Sequence, residues 1–575
     1  MRAIAGCAGM MAEPGLKAMK RGSGPSEEYR GSRCCLMSSR GGKASAGENG
    51  SVLVWDGELK NSGELKALLG IPEEDPGRLI LQAYQRWGTA CAEKLRGIYA
   101  IAVWEEARER LFLLRDRMGV RPLFYLENGG NLIFASEIKG ILDSPGMSAV
   151  LDEEGLLQLV MLGPGRKPGS GVFRGIRELE PGCFGIWEQG RLRVQRYWRL
   201  QVREHGETFE QTAEHVRQLV WDSAMGQMEE NMGTFLSGGL DSSILTALAS
   251  RWMKQRGTVL QTFSVDYLNN DIYFRPGKFQ PDSDEAYVHL MSESAGTSHR
   301  RSVLTAGDLY RGLEEAMMAR DLPGMADVDS SLLAFAREVR RSVSTAMSGE
   351  CADELFGGYP WYQEPQLQDG FPWARNIHQR ALLLRRHRDR AEEYARAVYA
   401  ETVREADLPP DCGDRDLRLM MHLNLRWFMQ TLLDRNDRMS AAAGLEVKVP
   451  FCDPVLADYL YNVPWVYKNY GGREKGLLRH AFRDLLPREI LGRRKSPYPK
   501  TFDPGYGELV GKKLETLLKT ESPLWELLDQ NAVKTMLSVE NTQPWYGQLM
   551  QKPQVTAWLL QLELWLKRYG VVISD

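Results

Sequence analysis

The chain has 575 residues, 73 Lys and Arg against 76 Asp and Glu, and a formal net charge of -3. That length asks for more than one core, and the near-neutral charge argues against a nucleic-acid or membrane-surface role, which would gather basic residues on one face. Eight scattered cysteines, with no second pair at zinc-ligand spacing beside Cys34-Cys35, indicate neither a disulfide framework nor a metal centre, and a reducing cytoplasm is expected.

In chain order, MRAIAGCAG at Met1 to Gly9 is too small-sided and glycine-rich for a signal peptide and reads as an opening strand. Lys20 to Gly50, rich in Gly, Ser, Lys and Arg without an apolar period, reads as loop or poorly ordered chain. Strands are expected at Val52–Trp55, Tyr99–Trp104, Leu111–Leu114, Leu123–Tyr125 and Leu132–Ala135, with helices at Pro76–Trp87 and Leu151–Met161. This mixture predicts an α+β layered domain over residues 1–200. A polar stretch near residue 205 leads into a helical pattern from Phe209 to Glu229. Strand-like pieces then alternate with helices, at Gly233–Leu236 and Leu260–Val265, which predicts a parallel α/β sheet with a helical carboxy-terminal part over residues 205–575. No window approaches a membrane span of about eighteen apolar residues.

The stretch FLSGGLDSS, Phe235 to Ser243, runs from a short strand into an amphipathic helix. Small residues let backbone amides approach an anion, the helix start adds a positive dipole end, and Ser237, Ser242 and Ser243 add hydroxyl donors. The combination reads as a phosphate cradle. Asp241 cannot bind phosphate itself, so its use is to hold Mg²⁺. A glycine turn capping a helix would explain the glycines but not an aspartate and three serines together. The Gly-Lys-Ser/Thr ending of a Walker A loop is missing.

This segment resembles the pyrophosphate-binding signature of the N-type ATP pyrophosphatases. Three later segments, MSGECADELFGGY (Met347 to Tyr359), DRMSAAAGLEVKVPFCD (Asp437 to Asp453) and KGLLR from Lys475 with KSPYPK from Lys495, are similar to ordered motifs of the asparagine synthetase family. The resemblance implies an ATP- and Mg²⁺-dependent, AMP-forming ligase that adenylates the aspartate side chain and transfers ammonia to it. It further implies that Ser237, Gly238, Gly239, Ser242 and Ser243 grip pyrophosphate, that Asp241 and Asp353 coordinate Mg²⁺, and that Leu236, Val265, Ser348 and Gly349 line the nucleotide. Glu350 would steer the amine and take up a proton, and Lys495 would stabilise charge on the phosphates. Asp321 and Asp327 fall where the family carries acidic residues near the acceptor; Cys351 stands in place of a frequent glycine, and Lys448 in place of an arginine. The partners implied are small molecules, and the resemblance is compatible with a homodimer.

RDRMGVRPLFY from Arg115 and FASEIK from Phe134 resemble the glutaminase domain of that family, an N-terminal-nucleophile amidotransferase. Its chemistry is not matched. Arg2 stands where the family carries its nucleophilic cysteine, and Asp56 replaces the asparagine of the oxyanion hole with an acceptor-only carboxylate. Pro76, within Asp75-Pro-Gly-Arg, replaces part of the segment that holds glutamine. Cys7 reads as a small buried residue, not a substitute nucleophile. The expectation is therefore a ligase fed by free ammonia. Two alternatives are a relative that uses another amine, of the β-lactam synthetase or peptide macrolactam cyclase type, and a non-catalytic scaffold. Glu350 stands against the β-lactam type, where a tyrosine is usual.

Overall fold

The computed structural model describes residues 3–9, 26–39, 45–46, 50–276, 282–363, 365, 367, 370–538 and 544–574. Alternation with a period of two builds the amino-terminal half. In the strand Ser51–Leu59, Val52 and Val54 enter one apolar layer while Leu53 and Trp55 enter another. In Gly97–Glu105, Ala100, Ala102 and Trp104 likewise part from Tyr99, Ile101 and Val103.

In chain order the strands are β1 (Ile4–Ala8), β2 (Ser26–Arg30), β3 (Cys34–Ser39), β4 (Ser45–Ala46), β5 (Ser51–Leu59), β6 (Gly97–Glu105) and β7 (Arg110–Arg115). They continue with β8 (Phe124–Asn128), β9 (Asn131–Ala135), β10 (Val150–Leu151), β11 (Ile176–Glu178), β12 (Cys183–Glu188) and β13 (Arg191–Arg196). Two six-stranded antiparallel sheets result, ordered β11-β8-β9-β1-β3-β2 and β13-β12-β7-β6-β5-β4. Their facing sides share one core, in which Ile4, Leu36 and Phe134 meet Val54, Trp104 and Leu113. Helices Ser62–Leu69 and Pro76–Trp87 cover the outer side of the second sheet, and Ile138–Leu142 and Glu153–Met161 that of the first. This is the expected layered amidotransferase-type arrangement, helix on sheet on sheet on helix.

The loop expected over Lys20–Gly50 is corrected within the described residues. Strands β2 and β3 occupy residues 26–30 and 34–39, pairing with each other and, through β3, with β1. Composition hid them because polar residues are buried in β3: Ser39 is one, and its hydroxyl accepts the Ala3 N–H at 2.8 Å. Arg2 lies outside the described residues.

From residue 209 the pattern changes to helix, strand, helix. The Phe209–Met225 helix ends at Gly226, about a turn earlier than expected. Strands β14 (Met232–Phe235), β15 (Gln261–Tyr267), β16 (Ser298–Leu304), β17 (Thr345–Met347) and β18 (Glu446–Lys448) form a parallel sheet ordered β16-β15-β14-β17-β18. The chain starts at the centre with β14, adds β15 and β16 on one side, then crosses to β17 on the other. At such a reversal the loops leaving the carboxyl ends of the two central strands part and leave a crevice. The remaining chain is mostly helical. A π-helical turn, Asn424–Phe428, runs straight into the Met429–Ala443 helix, whose inner residues reach that crevice.

Buried charges tie the two halves together. Arg121 reaches Asp437 at 2.8 Å, Glu446 at 3.2 Å and Asp56 at 3.7 Å. Lys139 pairs with Glu137 and Asp321, both at 2.7 Å. Lys448 reaches Glu58 at 2.7 Å and Glu229 at 2.9 Å. The carboxy-terminal strand β19 (Val572–Ile573) pairs in parallel with β10. No helix among the described residues is long and apolar enough to cross a membrane.

Candidate active site

The loop after β14 carries the glycine-serine segment. Gly238 adopts φ +68°, and a Cβ there would lie 2.6 Å from Tyr287 Cβ, so only glycine makes this turn without strain. The following helix, Leu240–Lys254, starts at Gly239 with no side-chain cap, leaving its first N–H groups to the crevice. Ser242 Oγ accepts from Ser237 N at 3.2 Å, lies 3.1 Å from Ser237 Oγ and donates to Gly239 O at 3.2 Å, which closes the loop on itself. Arg493 clamps it from outside, donating to Ser237 O at 2.9 Å and pairing with Asp284. Ser243 is fully buried beneath the turn, and neither it nor Gly238 lines the crevice.

The loop after β17 lies against the first. A Cβ on Gly349 would stand 2.9 Å from Asp241 Cβ. Cys351, at φ +76°, opens the short Ala352–Phe356 helix in the left-handed conformation that glycine adopts freely. The next carboxylate, Asp353, faces Asp241 across an ammonium that sequence reasoning gave no role. Lys475 Nζ, on a side chain 3% exposed, pairs with Asp241 Oδ2 and with Asp353 Oδ1. Lys495 Nζ reaches Asp353 Oδ2 at 2.5 Å. Lys475 itself holds φ +56°, a strained value for a side-chain-bearing residue, at the start of the Gly476–Ala481 helix.

Burial would raise the Asp353 carboxyl, but Lys475 and Lys495 hold it down at about 2. Burial works against charge on Lys475 as well, yet the two aspartates keep its pKa above the ordinary value. Burial pushes Glu354 up to about 8, with Asp353 adding to the shift, while the Tyr359 hydroxyl donates to it at 2.8 Å. Glu350 is also raised by burial, so it holds a proton more readily than a solvated carboxylate.

Two carboxylates with room for phosphate oxygens are a donor set suited to Mg²⁺, which keeps few protein ligands. Asp241 Oδ1 is buried and accepts no hydrogen bond, as a ligand atom would. Among the described residues no three metal-ligating side chains cluster, so substrate oxygens and water would complete any such site.

These groups share one cavity of about 740 Å³. Leu236, Ser237, Gly239, Ser242 and Val265 line it, with Asp241, Ser348, Gly349, Glu350, Asp353 and Lys495. Met325, Leu432, Arg435, Tyr498 and Gln548 line it as well. Asp321 and Asp327 are not among the lining residues: Asp321 binds Lys139 and the Ile138 N–H, and Asp327 accepts from Gln554 at 3.1 Å. Lys448 makes its ion pairs with Glu58 and Glu229, outside the cavity. Lys475, Arg435 and Arg493 had no role in the sequence reading. Lys475 does head the KGLLR segment, a signal that could have found it.

At the positions that the sequence matches to the glutaminase domain, the side chains make structural contacts. Asp56 is 2% exposed and ion-paired with Arg121. Pro76 starts a helix behind Asp75, whose carboxylate accepts the Arg78 N–H at 2.8 Å as an N-cap. Cys7 is buried and faces Cys35 across the β1–β3 pair.

Family models agree with this layout. Asparagine synthase matches residues 215–567, and a glutamine amidotransferase domain matches residues 43–198. Asparagine synthetase 3 (glutamine-hydrolyzing) of Bacillus subtilis is 42% identical over 541 residues, covering 91% of this chain and 88% of the relative. Asparagine synthetase 1 of the same organism is 26% identical over 492 residues, covering 78% and 75%. The Gallus gallus asparagine synthetase is 26% identical over 473 residues, covering 78% and 71%. With its model spanning more than half the chain and a relative this similar over nearly its full length, the chain belongs to the asparagine synthase family of ligases.

Proposed function

We propose that this ligase uses ATP and Mg²⁺ to adenylate the side-chain carboxylate of aspartate, and that free ammonia then attacks the acyl carbon to give asparagine and AMP. The observation that carries the reading is the set Asp241, Lys475, Asp353 and Lys495 beside Glu350 in one cavity, at the point where the parallel sheet reverses. In this reading the carboxylate oxygen attacks the α-phosphorus and pyrophosphate leaves. The loop Ser237–Ser242 holds the departing phosphates with backbone N–H groups. Lys475 and Lys495 offer positive charge where it builds on the phosphate oxygens. Bound to Asp241 and Asp353, Mg²⁺ would neutralise those oxygens further. Glu350 accepts a proton from the ammonia nitrogen as the new bond forms, and its raised affinity for a proton suits that task.

Ammonia is favoured over glutamine by Asp56. An oxyanion hole needs a donor, and here a carboxylate tied to Arg121 fills the position. The glutamine-holding segment has likewise become the capped start of a helix at Pro76. The amidotransferase-like part, residues 1–200, then serves the synthetase part, residues 205–575, as a packing partner in a cytoplasmic enzyme. Pyrophosphate release from ATP and aspartate, with ammonium or glutamine as nitrogen source, tests both steps. Turnover with ammonium alone is expected; robust glutamine-dependent turnover abolished by a thiol reagent would overturn the ammonia reading. Failure to bind ATP with Mg²⁺ in calorimetry would overturn the ligase reading of the site.

A further inference from the structure

Lys495 sits in KSPYPK, between the Arg488–Gly492 and Pro504–Leu517 helices, in chain that belongs to no helix or strand. Pro497 and Pro499 offer no N–H, so no backbone ladder fixes the course of this segment and side chains must do so. Arg493, two residues before the lysine, is buried, and its guanidinium lies 4.2 Å over the Tyr287 ring. One arm donates to Ser237 O at 2.9 Å and the other pairs with Asp284 Oδ1. Ser496, the residue after the lysine, donates from its hydroxyl to the same Asp284 Oδ1 at 3.2 Å. The Lys495 N–H donates to Glu474 Oε1 at 3.1 Å.

Asp284 stands at the start of the Glu285–Ala295 helix, where an aspartate side chain ordinarily accepts the first free N–H groups. Here its side chain caps nothing. The carboxylate is turned to residues 493 and 496 instead, and a charge-assisted bond to a guanidinium is stronger than a neutral one. Through Arg493 the same carboxylate is linked to Ser237, so two segments that the adenylation reading assigns to the phosphates meet at one side chain outside both.

We propose that Asp284 is a positioning residue for Lys495: it fixes the chain on both sides of the lysine and, through Arg493, sets the distance of that segment from the pyrophosphate loop. This rests on reading Lys495 as the ammonium that stabilises charge on the reacting phosphate. Asp284 acts through its neighbours and not on the substrates. A displacement of about 1 Å at a charge-stabilising group costs about 100-fold in rate, so a carboxylate remote from the reacting atoms can govern turnover.

The test is a double-mutant cycle read by ATP–pyrophosphate exchange with aspartate. Asp284→Ala should lower the maximal rate about 10- to 100-fold and move the KM for ATP less than about threefold, the pattern of an interaction used in the transition state. In a Lys495→Ala background the same replacement should cost less than about threefold more, because the group it positions is gone. A general loosening of the fold would lower both backgrounds alike, so a further loss of about tenfold or more there overturns the proposal. So does an unchanged maximal rate in Asp284→Ala. Ser496→Ala leaves the buried ion pair intact and serves if Asp284→Ala fails to fold; it should lose about three- to tenfold, again only when Lys495 is present, and equal losses in both backgrounds overturn the proposal. Hydrogen exchange reads the same link without turnover: peptides covering residues 493–500 should exchange about tenfold faster in Asp284→Ala or Ser496→Ala than in the wild type, and unchanged exchange overturns the proposal. A wild type without aspartate-dependent exchange would overturn the aspartate reading, and hydrogen exchange alone would then decide whether Asp284 holds the Lys495 segment.

Discussion

Replacing Lys475 by methionine perturbs the centre of the charge cluster with little change of volume. In the wild type the ammonium is the counter-ion of two carboxylates; afterwards Asp353 keeps Lys495 at 2.5 Å, while Asp241 keeps no ion pair among the described residues. Removing one partner of a buried pair costs about 3–5 kcal/mol. The two lysines together hold Asp353 from 3.8 down to about 2, which at about 1.4 kcal/mol per unit corresponds to between 2 and 3 kcal/mol. We therefore expect Lys475→Met to lose about 2–4 kcal/mol at pH 7. The folded pKa of Asp353 lies below its unfolded value, so this contribution is present above pH 4 or so and fades as the pH falls towards about 2. Urea unfolding followed by tryptophan fluorescence measures the loss. Asp241→Asn and the double variant close a cycle whose coupling should exceed about 1 kcal/mol. ATP–pyrophosphate exchange should drop about 100- to 1,000-fold. A coupling below about 0.5 kcal/mol, or a Lys475→Met protein as stable as the wild type, would refute the electrostatic account.

Gly238→Ala forces a Cβ onto Tyr287 at positive φ and should cost about 1–3 kcal/mol, together with at least a tenfold loss of ATP affinity by calorimetry; unchanged affinity would show that the turn does not shape the site. Lys468 is buried with its ammonium near Met421 Sδ, and burial pushes its pKa down to about 7. Because the unfolded chain binds that proton more tightly, wild-type stability should rise from about pH 7 to about pH 10, and Lys468→Met should remove the slope and gain about 2–4 kcal/mol at pH 7; matching wild-type and variant pH profiles in urea titrations would contradict this. Asp56→Asn restores an amide in name, yet glutamate release from glutamine should stay at background and stability should fall by about 1 kcal/mol as Arg121 loses a partner; glutamine hydrolysis in the variant would show that a single side chain had silenced the domain.

The strands of the first half were legible wherever a sheet separates two apolar layers, as in β5 and β6, because each side chain then reports its layer by alternation. Pro76–Trp87 was legible to the residue because Asp75 and Pro76 mark its start and Gly88 its end. Strands β2 and β3 were not, since a polar residue such as Ser39 is buried there against a backbone partner remote in sequence, Ala3. In the cavity, local motifs marked Asp241, Glu350, Asp353 and Lys495. Lys475 stands 234 residues from Asp241, and nothing local states that the two meet. Arg435 was hidden differently: in the run LDRNDRMS it is one of several charges on a helix, and only packing shows which of them line the cavity.

The buried bridge made by Arg121 bears on whether the first half is dispensable. Cutting it away would take Arg121 from Asp437 and Lys139 from Asp321, and would strip Arg380 of the Val160, Met161 and Gly163 carbonyls that it now holds. The first half is thus the keystone of its neighbour, and no clean cut near residue 200 leaves the second half with its buried charges paired. Single side chains on that half can change without cost to the second, but the masonry that joins the two cannot.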